Sequence, residues 1–279
     1  MVLNVAVAQF APGRSPEENA ARLARLAGEA ADAGAGLVVL PEYSSYFASP
    51  MDERFAANAQ ALNGPFTAAV VELAGRLGLT VVFGLVEAAG ERFRNTAVAV
   101  DGSGVLAVYR KTHLYDAFGA RESDWVEPGP LDPPQLFETG GLRVGLQTCY
   151  DLRFPEVTRR IADAGADLVL LPADWVPGPR KVVHWRTLVT ARAIENTVYV
   201  AAAGQVPPGG VGTSLVVDPE GDVLAELGEL PGVAVAAVDA SWVAEVRRVN
   251  PALALRRYAV VPRDEAGPVS GVIPLRDPR

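Results

Sequence analysis

The segment Ala31-Asp-Ala-Gly-Ala-Gly-Leu-Val-Val-Leu-Pro41 decides the fold, because the later segment Ala162-Asp-Ala-Gly-Ala-Asp-Leu-Val-Leu-Leu-Pro172 repeats it with 9 of 11 residues identical. In each copy a glycine follows a helical pattern and precedes an apolar run. This arrangement predicts the end of a helix followed by a buried strand. The chain therefore contains two related structural units.

Each unit has the pattern of a strand, a helix and a second strand. Residues 3–9 alternate as a strand, and residues 15–33 predict a helix with Ser15 as its N-cap and Pro16 in its first turn. Residues 142–147 resemble the first of these segments and precede the second copy of the repeat. The apolar runs are continuous, as in parallel strands that are buried on both faces. We therefore predict an α/β fold with two related βαβ layers.

The rest of the chain predicts hairpins, one further helix and an irregular tail. No linker-like run interrupts the sequence, so we expect residues 1–279 to form a single domain. The tail, from about residue 250 to 279, is rich in Pro and Arg, and we expect it to pack on the surface or on a dimer partner. The helix is predicted over 181–195, and the strands over 79–86, 94–100, 105–110, 197–203, 212–218 and 222–227.

The composition excludes several classes of protein. With 25 Lys and Arg against 33 Asp and Glu, the formal net charge is −8, and no basic patch is present that could bind nucleic acid. Hydrophobic residues make up 49% of the chain, which is typical of a folded domain. The single cysteine is Cys149, and the two histidines are His113 and His184, so we expect neither an internal disulfide nor a Cys/His metal site.

The sequence also predicts a cytoplasmic protein without a membrane segment. The first residues lack the basic start of a signal peptide. The charge-free stretch from Asn196 to Val217 is long enough for a membrane span, but Pro207-Pro208-Gly209-Gly210 interrupts it and predicts two strands with a turn. A lone thiol suits a reducing compartment.

Three ionisable residues follow predicted buried strands, where open α/β sheets build their sites. Cys149 lies between a strand and a predicted helix start, where N–H groups can stabilise a thiolate. Glu42 follows Pro41 beside aromatic residues and could act as a general base, whereas Lys111 ends a strand and could hold an oxyanion. Each also has an ordinary structural explanation: an inert buried thiol, a loop carboxylate, and a lysine whose stem covers apolar surface.

Two weaker hypotheses involve other residues. Glu122 lies in a predicted loop, where an exposed acid is the ordinary case. His113 and His184 permit a Cys/His hydrolase, in which His113 would be essential and Lys111 dispensable. His184 falls within the predicted helix over 181–195, where a structural hydrogen bond is sufficient to explain it.

Three motifs follow one another along the chain: Pro41-Glu42-Tyr43, Arg110-Lys111-Thr112-His113-Leu114 and Thr148-Cys149-Tyr150-Asp151-Leu152-Arg153-Phe154-Pro155-Glu156. In order and spacing they resemble the signatures of the nitrilase superfamily of carbon–nitrogen hydrolases. The resemblance extends over nearly the whole chain and implies a four-layer α-β-β-α sandwich that forms dimers by helix packing. Later segments, Leu171-Pro-Ala-Asp-Trp175 and Ala191-Arg-Ala-Ile-Glu-Asn196, look like further landmarks of the family.

The resemblance also implies a mechanism for this chain. Glu42 would take the proton of Cys149, whose sulfur attacks an amide carbon and forms a thioester. Lys111 and the backbone N–H of Tyr150 would stabilise the oxyanion, and Glu122 would position the substrate or orient Lys111. The resemblance implies no metal and no organic cofactor.

The residues after the nucleophile indicate the branch of the superfamily. Cys149-Tyr150-Asp151 is similar to the amidases of the ω-amidase and deaminated glutathione amidase group, whereas nitrilases usually have Cys-Trp-Glu. We therefore expect an amidase that converts a small linear carboxamide to an acid and ammonia. The residues expected to line its substrate pocket are Tyr43, Tyr46, Tyr115, Tyr150 and Trp175.

Several alternatives stay open at this point. An ω-amidase acts on monoamides of dicarboxylic acids and needs a cation for the distal carboxylate, for which Arg153, Arg180 and Lys181 are candidates. The Pro/Gly-rich loop at 207–210 departs from the ω-amidase pattern and leaves a short aliphatic amidase open. An N-carbamoyl amino acid hydrolase or a nitrile hydrolase would share the fold. The presence of all the implied catalytic residues argues against a non-catalytic scaffold.

Overall fold

Two six-stranded sheets organise the structure, a computed structural model in which residues 2–262 are described. Six α-helices accompany the sheets in this part of the chain: α1 (Pro16–Asp32), α2 (Arg54–Ala57), α3 (Pro65–Leu77), α4 (Pro155–Asp163), α5 (Lys181–Asn196) and α6 (Ala240–Val249). The strands are β1 (Val2–Gln9), β2 (Leu37–Val39), β3 (Thr80–Ala89), β4 (Arg92–Asp101), β5 (Gly104–Arg110), β6 (Leu136–Thr139), β7 (Leu142–Leu146), β8 (Leu168–Ala173), β9 (Tyr199–Gly204), β10 (Leu215–Val217), β11 (Val223–Glu226) and β12 (Gly232–Asp239).

The two sheets have the same internal order, which explains the sequence repeat. The first sheet is β12-β1-β2-β3-β4-β5, and the second, written in the corresponding direction, is β6-β7-β8-β9-β10-β11. β1 and β2 are parallel and connected by α1, and β7 and β8 are parallel and connected by α4. After each helix a glycine has a left-handed backbone, Gly34 with φ 80° and Gly165 with φ 99°, a conformation that ends a helix without a Cβ clash.

The layers pack as an α-β-β-α sandwich, which confirms the predicted fold class. Side chains of β1, β2, β7 and β8 fill the space between the sheets, including Val5, Val39, Val144 and Leu170. The opposite face of the first sheet packs against α1 and α3, and that of the second sheet packs against α4 and α5. Because the central strands are covered on both faces, their sequences are continuously apolar.

The structure refines several predicted boundaries. The predicted N-cap is confirmed, since the side chain of Ser15 accepts a hydrogen bond from the N–H of Glu18. The strand predicted over 212–218 is shorter, because Gly212 (φ 63°) and Thr213 (φ 51°) leave the extended conformation and β10 begins only at Leu215.

The C-terminal tail was predicted from about residue 250, and only its first part lies within the described residues. Residues 251–262 contain neither helix nor strand, and Ala259–Pro262 line a cavity of about 780 Å³ together with residues of β5 and α4. Residues 263–279 lie outside the described part. No helix between residues 2 and 262 has the length and apolar character needed to cross a membrane.

Candidate active site

Glu42 lies between the two sheets, just beyond the end of β2. Its side chain is 1% exposed, and its Oε2 accepts a hydrogen bond of 2.6 Å from the backbone N–H of Asp174, which follows β8. On the other side, the backbone of Glu42 runs against Gly84 in β3. A Cβ at Gly84 would lie 2.3 Å from the nitrogen of Tyr43 and 2.7 Å from the Cα of Glu42, so only glycine permits this approach.

Lys111 connects two carboxylates. Its Nζ is buried and lies 3.0 Å from Oε1 of Glu42 and 2.8 Å from Oε2 of Glu122. Burial alone would lower the pKa of Lys111, but the negative charges of Glu122 and Glu42 outweigh it and raise this pKa well above its ordinary value. The lysine is therefore a fixed positive charge.

Glu122 is buried, and not an exposed loop acid. Oε1 accepts hydrogen bonds from the hydroxyl of Tyr43 and from the side chains of Asn95 and Lys111, and Oε2 accepts from Lys111 and from the N–H of Tyr115. Burial favours the protonated form, but the charge of Lys111 and these hydrogen bonds lower the pKa of Glu122. With five hydrogen bonds from four donor groups around it, this carboxylate is suited to orient Lys111 and not to move protons.

Cys149 begins a short 3-10 turn, Cys149–Arg153, directly after β7. Its backbone is left-handed, with φ 44°, which is uncommon for a non-glycine residue and is typical of functional turns. The sulfur donates a hydrogen bond of 3.4 Å to the carbonyl oxygen of Asp174. The thiol therefore lies beside the same residue whose N–H orients Glu42.

The sequence suggested that the turn stabilises a thiolate at Cys149, but the surroundings of the sulfur favour the protonated thiol. Burial raises the pKa of Cys149 well above its ordinary value, the negative charge of Glu42 adds to this effect, and Lys111 opposes it only in part. Cys149 is therefore a thiol at rest, and an attack by its sulfur would need a base. Glu42, which makes fewer hydrogen bonds than Glu122, is the adjacent group that can accept the proton.

The structure does not favour a Cys/His pair. Nδ1 of His113 lies 2.8 Å from Oδ1 of the fully buried Asp151, and the imidazole stacks on Phe154 with ring centroids 3.8 Å apart. Nδ1 of His184 lies 3.5 Å from Nη2 of Arg153. Asp151 also accepts hydrogen bonds from the hydroxyls of Tyr109 and Thr112 and from the N–H of Thr148, so it links the segment after Lys111 to the cysteine turn.

Three residues around the site were not predicted. Asn95 donates hydrogen bonds to Glu42 at 2.6 Å and to Glu122 at 3.1 Å, and the side chain of Gln205 donates to the carbonyl oxygen of Glu42 at 3.0 Å. Burial, and then the charge of Glu42, raise the pKa of Asp174 to about 8. Asn95 had a signal in the sequence, since a polar pair, Asn95-Thr96, interrupts an apolar strand.

The predicted pocket residues fall into two groups. Tyr43 is buried, and its hydroxyl donates a hydrogen bond of 2.6 Å to the carboxylate of Glu122. Tyr46 packs edge-on against Phe55 in the same aromatic cluster. The other three lie on the side of the cysteine turn. The rings of Tyr115 and Tyr150 meet edge to face at 5.1 Å, and Trp175 follows Asp174 in the chain.

No group of three or more His, Cys, Asp or Glu side chains within residues 2–262 is arranged to hold a metal ion. The site instead consists of a thiol, one permanent cation and three carboxyl groups in a closed space. Such a set can transfer a proton from the thiol and stabilise an oxyanion.

The chain is similar to several known proteins. The family Carbon-nitrogen hydrolase matches residues 4–248. The chain is 39% identical over 256 residues to the deaminated glutathione amidase of Escherichia coli O157:H7, which covers 91% of this chain and 97% of that protein.

Two solved structures are similar in fold. The NitFhit protein of C. elegans has a TM-score of 0.84 and 30% identity, over 92% of this chain and 65% of the other. A mutant of the amidase from Nesterenkonia sp. AN1 in complex with butyramide has a TM-score of 0.76 and 30% identity, over 89% of this chain and 97% of the other.

Proposed function

This chain belongs to the carbon–nitrogen hydrolase family as an amidase of the nitrilase superfamily, and we propose that it hydrolyses a small linear carboxamide to an acid and ammonia through a thioester on Cys149. The observation that carries the proposal is the Lys111 ammonium, held between Glu42 and Glu122 beside a protonated thiol. The butyramide bound by the related amidase supports the size and type of substrate.

The first half of the reaction forms the thioester. Glu42 takes the proton from the sulfur of Cys149 as the sulfur attacks the amide carbon. The carbonyl oxygen becomes an oxyanion, held by Lys111 and by the N–H of Tyr150, which has no partner within the 3-10 turn because it lies at its start. The carbon–nitrogen bond then breaks, the protonated Glu42 gives its proton to the nitrogen, and ammonia leaves.

The second half regenerates the enzyme. Glu42 takes a proton from a water molecule, whose oxygen attacks the thioester carbon, and the same two donors stabilise the new oxyanion. The carbon–sulfur bond breaks, the sulfur recovers its proton from Glu42, and the carboxylic acid is released. The sum is amide plus water to acid plus ammonia.

Ammonia release from acetamide, propionamide and butyramide tests this function, with Cys149→Ala as the control. We expect release by the wild type and none by the control. Lys111→Ala should abolish activity and His113→Ala should retain it. The reverse pattern would instead support a Cys/His hydrolase.

The same experiment separates the other activities of this fold. Acid formed directly from a short nitrile would indicate a nitrile hydrolase, and carbon dioxide released with ammonia from an N-carbamoyl amino acid would indicate a carbamoylase. The Tyr150-Asp151 pair favours the amidase over the nitrile hydrolase.

We further propose that the protein is a cytoplasmic homodimer. Exposed apolar side chains on α5, β11 and α6 support a self-association surface: Val182, Val183, Ile194, Val223, Leu224 and Trp242. Light scattering should give about twice the chain mass of 29.4 kDa. A monomer at micromolar concentration would contradict the dimer.

A further inference from the structure

Two carboxylates in the active site share the same two donors. Oε1 of Glu42 and Oε1 of Glu122 each lie 3.0 Å from Nζ of Lys111. Nδ2 of Asn95 donates to the same two oxygens, at 2.6 Å to Glu42 and at 3.1 Å to Glu122. One ammonium group and one amide group therefore bridge the two carboxylates, so that a single positive charge is placed between two negative charges.

Two buried carboxyl groups at this distance tend to hold one proton between them. Glu42, Glu122 and Asn95 are all buried, and a dry site strengthens the repulsion between like charges. Such a pair ionises fully only when its surroundings stabilise the second negative charge. A proton held by the pair would occupy Glu42, and a protonated Glu42 cannot take the proton of Cys149. The proposed reaction therefore depends on keeping both carboxyl groups ionised.

The amide of Asn95 faces the carboxylates although its own oxygen is left without a partner. Its Oδ1 is buried and accepts no hydrogen bond from any residue between 2 and 262. Turning the amide over would place that oxygen against two ionised oxygens, which can only repel it. An unmade hydrogen bond at Oδ1 costs less than the loss of two bonds to charged acceptors. The orientation of the amide is thus the one that two ionised carboxylates require.

No second cation faces the pair in the part of the chain that the structure describes. Besides Lys111, the titratable groups that face the two carboxylates are Tyr43, Cys149 and Asp174, which come from three other segments. None of the three can carry a positive charge. An amide adds two donors without adding a charge, so it can stabilise the ionised pair and still leave Glu42 able to accept a proton.

We propose that Asn95 is a positioning residue that keeps Glu42 ionised beside Glu122, so that Glu42 can act as the base towards Cys149. This inference rests on the proposed amidase function and deepens it. Strand register holds the residue in place, because the backbone N–H of Lys111 donates to the carbonyl oxygen of Asn95 at 2.9 Å. The same strand end therefore positions the cation and the amide together.

The first test measures kcat/KM for butyramide as a function of pH. Asn95→Leu keeps the branched shape and removes both donors. We expect the acid limb of the profile to move up by about one to two pH units, because hydrogen bonds to charged groups are worth about that much. The double variant Asn95→Leu/Glu122→Gln also removes one of the like charges and should bring the limb back down.

Thr96→Val is the matched control. Thr96 is the next residue on β4, is equally buried, and donates through its hydroxyl to a different carboxylate, that of Glu87, at 2.8 Å. This variant also removes one buried donor to a carboxylate, but outside the active site. It should lose stability and leave the acid limb unchanged.

A second measurement does not depend on turnover. Cys149 is the only cysteine of the chain, so the rate of its alkylation by iodoacetamide reports on this thiol alone. Alkylation of a thiol needs a base, and its acid limb should move up in Asn95→Leu by the same amount as in the first test. Acid limbs that stay in place in both assays, whatever the loss of rate, would overturn the role of Asn95. A wild type that shows the alkylation shift on substitution but hydrolyses no amide would overturn the proposed function and not this inference.

Discussion

The backbone N–H of Asp174 donates a 2.6 Å hydrogen bond to Oε2 of Glu42, although 132 residues separate them in sequence. Each residue follows the matching strand of the repeat, Glu42 after β2 and Asp174 after β8. The internal symmetry therefore brings the two strand ends together, and the second half of the chain orients the carboxylate of Glu42, which belongs to the first half. This contact forms only when the two sheets are packed together.

Replacing Glu42 by Gln should remove the base and keep the shape. We expect kcat for butyramide to fall by about 10²- to 10⁴-fold, because an amide cannot accept the thiol proton. Ammonia release and thermal unfolding should be measured together, with Glu53→Gln, an exposed carboxylate, as the control. A Glu42→Gln enzyme with normal turnover would exclude this residue as the base.

Removing Lys111 should reduce stability as well as activity. Lys111→Met leaves the carboxylates of Glu42 and Glu122 buried without their cation, and breaking a buried ion pair in this way costs about 3–5 kcal/mol of unfolding free energy. The double variant Lys111→Met/Glu122→Gln removes one of the two charges and should recover part of the loss. Urea unfolding measures both. A double variant less stable than Lys111→Met would argue against this electrostatic explanation.

The alkaline limb of the pH profile should depend on Asp174. Its pKa is raised to about 8, so the group is neutral at lower pH and becomes negative as the pH rises through that value. The new charge raises the pKa of the Cys149 thiol and opposes attack, so kcat/KM should fall above about pH 8. Asp174→Asn cannot ionise and should extend the active range upward. An unchanged alkaline limb in this variant would assign it to another group.

A methyl group at Gly84 should displace Glu42 and leave its carboxyl group chemically unchanged. The added Cβ would meet the backbone of Glu42 and Tyr43, so Gly84→Ala should lower both kcat and the free energy of unfolding. Gly28→Ala in α1 is the matched control, because nothing lies within 4 Å of its Cβ. That variant should keep full activity and gain about 0.5–1 kcal/mol of stability.

Much of the fold and the principal catalytic candidates could be predicted from the sequence, because they depend on local patterns. The repeat at 31–41 and 162–172 predicted two matching helix–strand units, and three motifs identified Glu42, Lys111 and Cys149 as a set. The contacts of Asn95 and Gln205 with Glu42 could not be predicted, because they depend on strand register and on packing between the sheets.

The ionisation of the thiol also escaped prediction. The position of Cys149 at the start of a turn suggested a stabilised thiolate, but burial and the neighbouring carboxyl groups act in the opposite direction. The size of that effect depends on how completely the two sheets exclude water from the site, which no local pattern reports.

The protonated resting state of Cys149 has a consequence for the lifetime of the enzyme. Peroxide reacts with thiolates and hardly with thiols, so a buried nucleophile that keeps its proton is slow to become a sulfenic acid. We therefore expect the sulfur to be unreactive towards oxidants between turnovers and, in the proposed mechanism, to lose its proton to Glu42 only as it attacks an amide carbon. The burial and the neighbouring carboxylate that raise the pKa of Cys149 should thus also slow its oxidation.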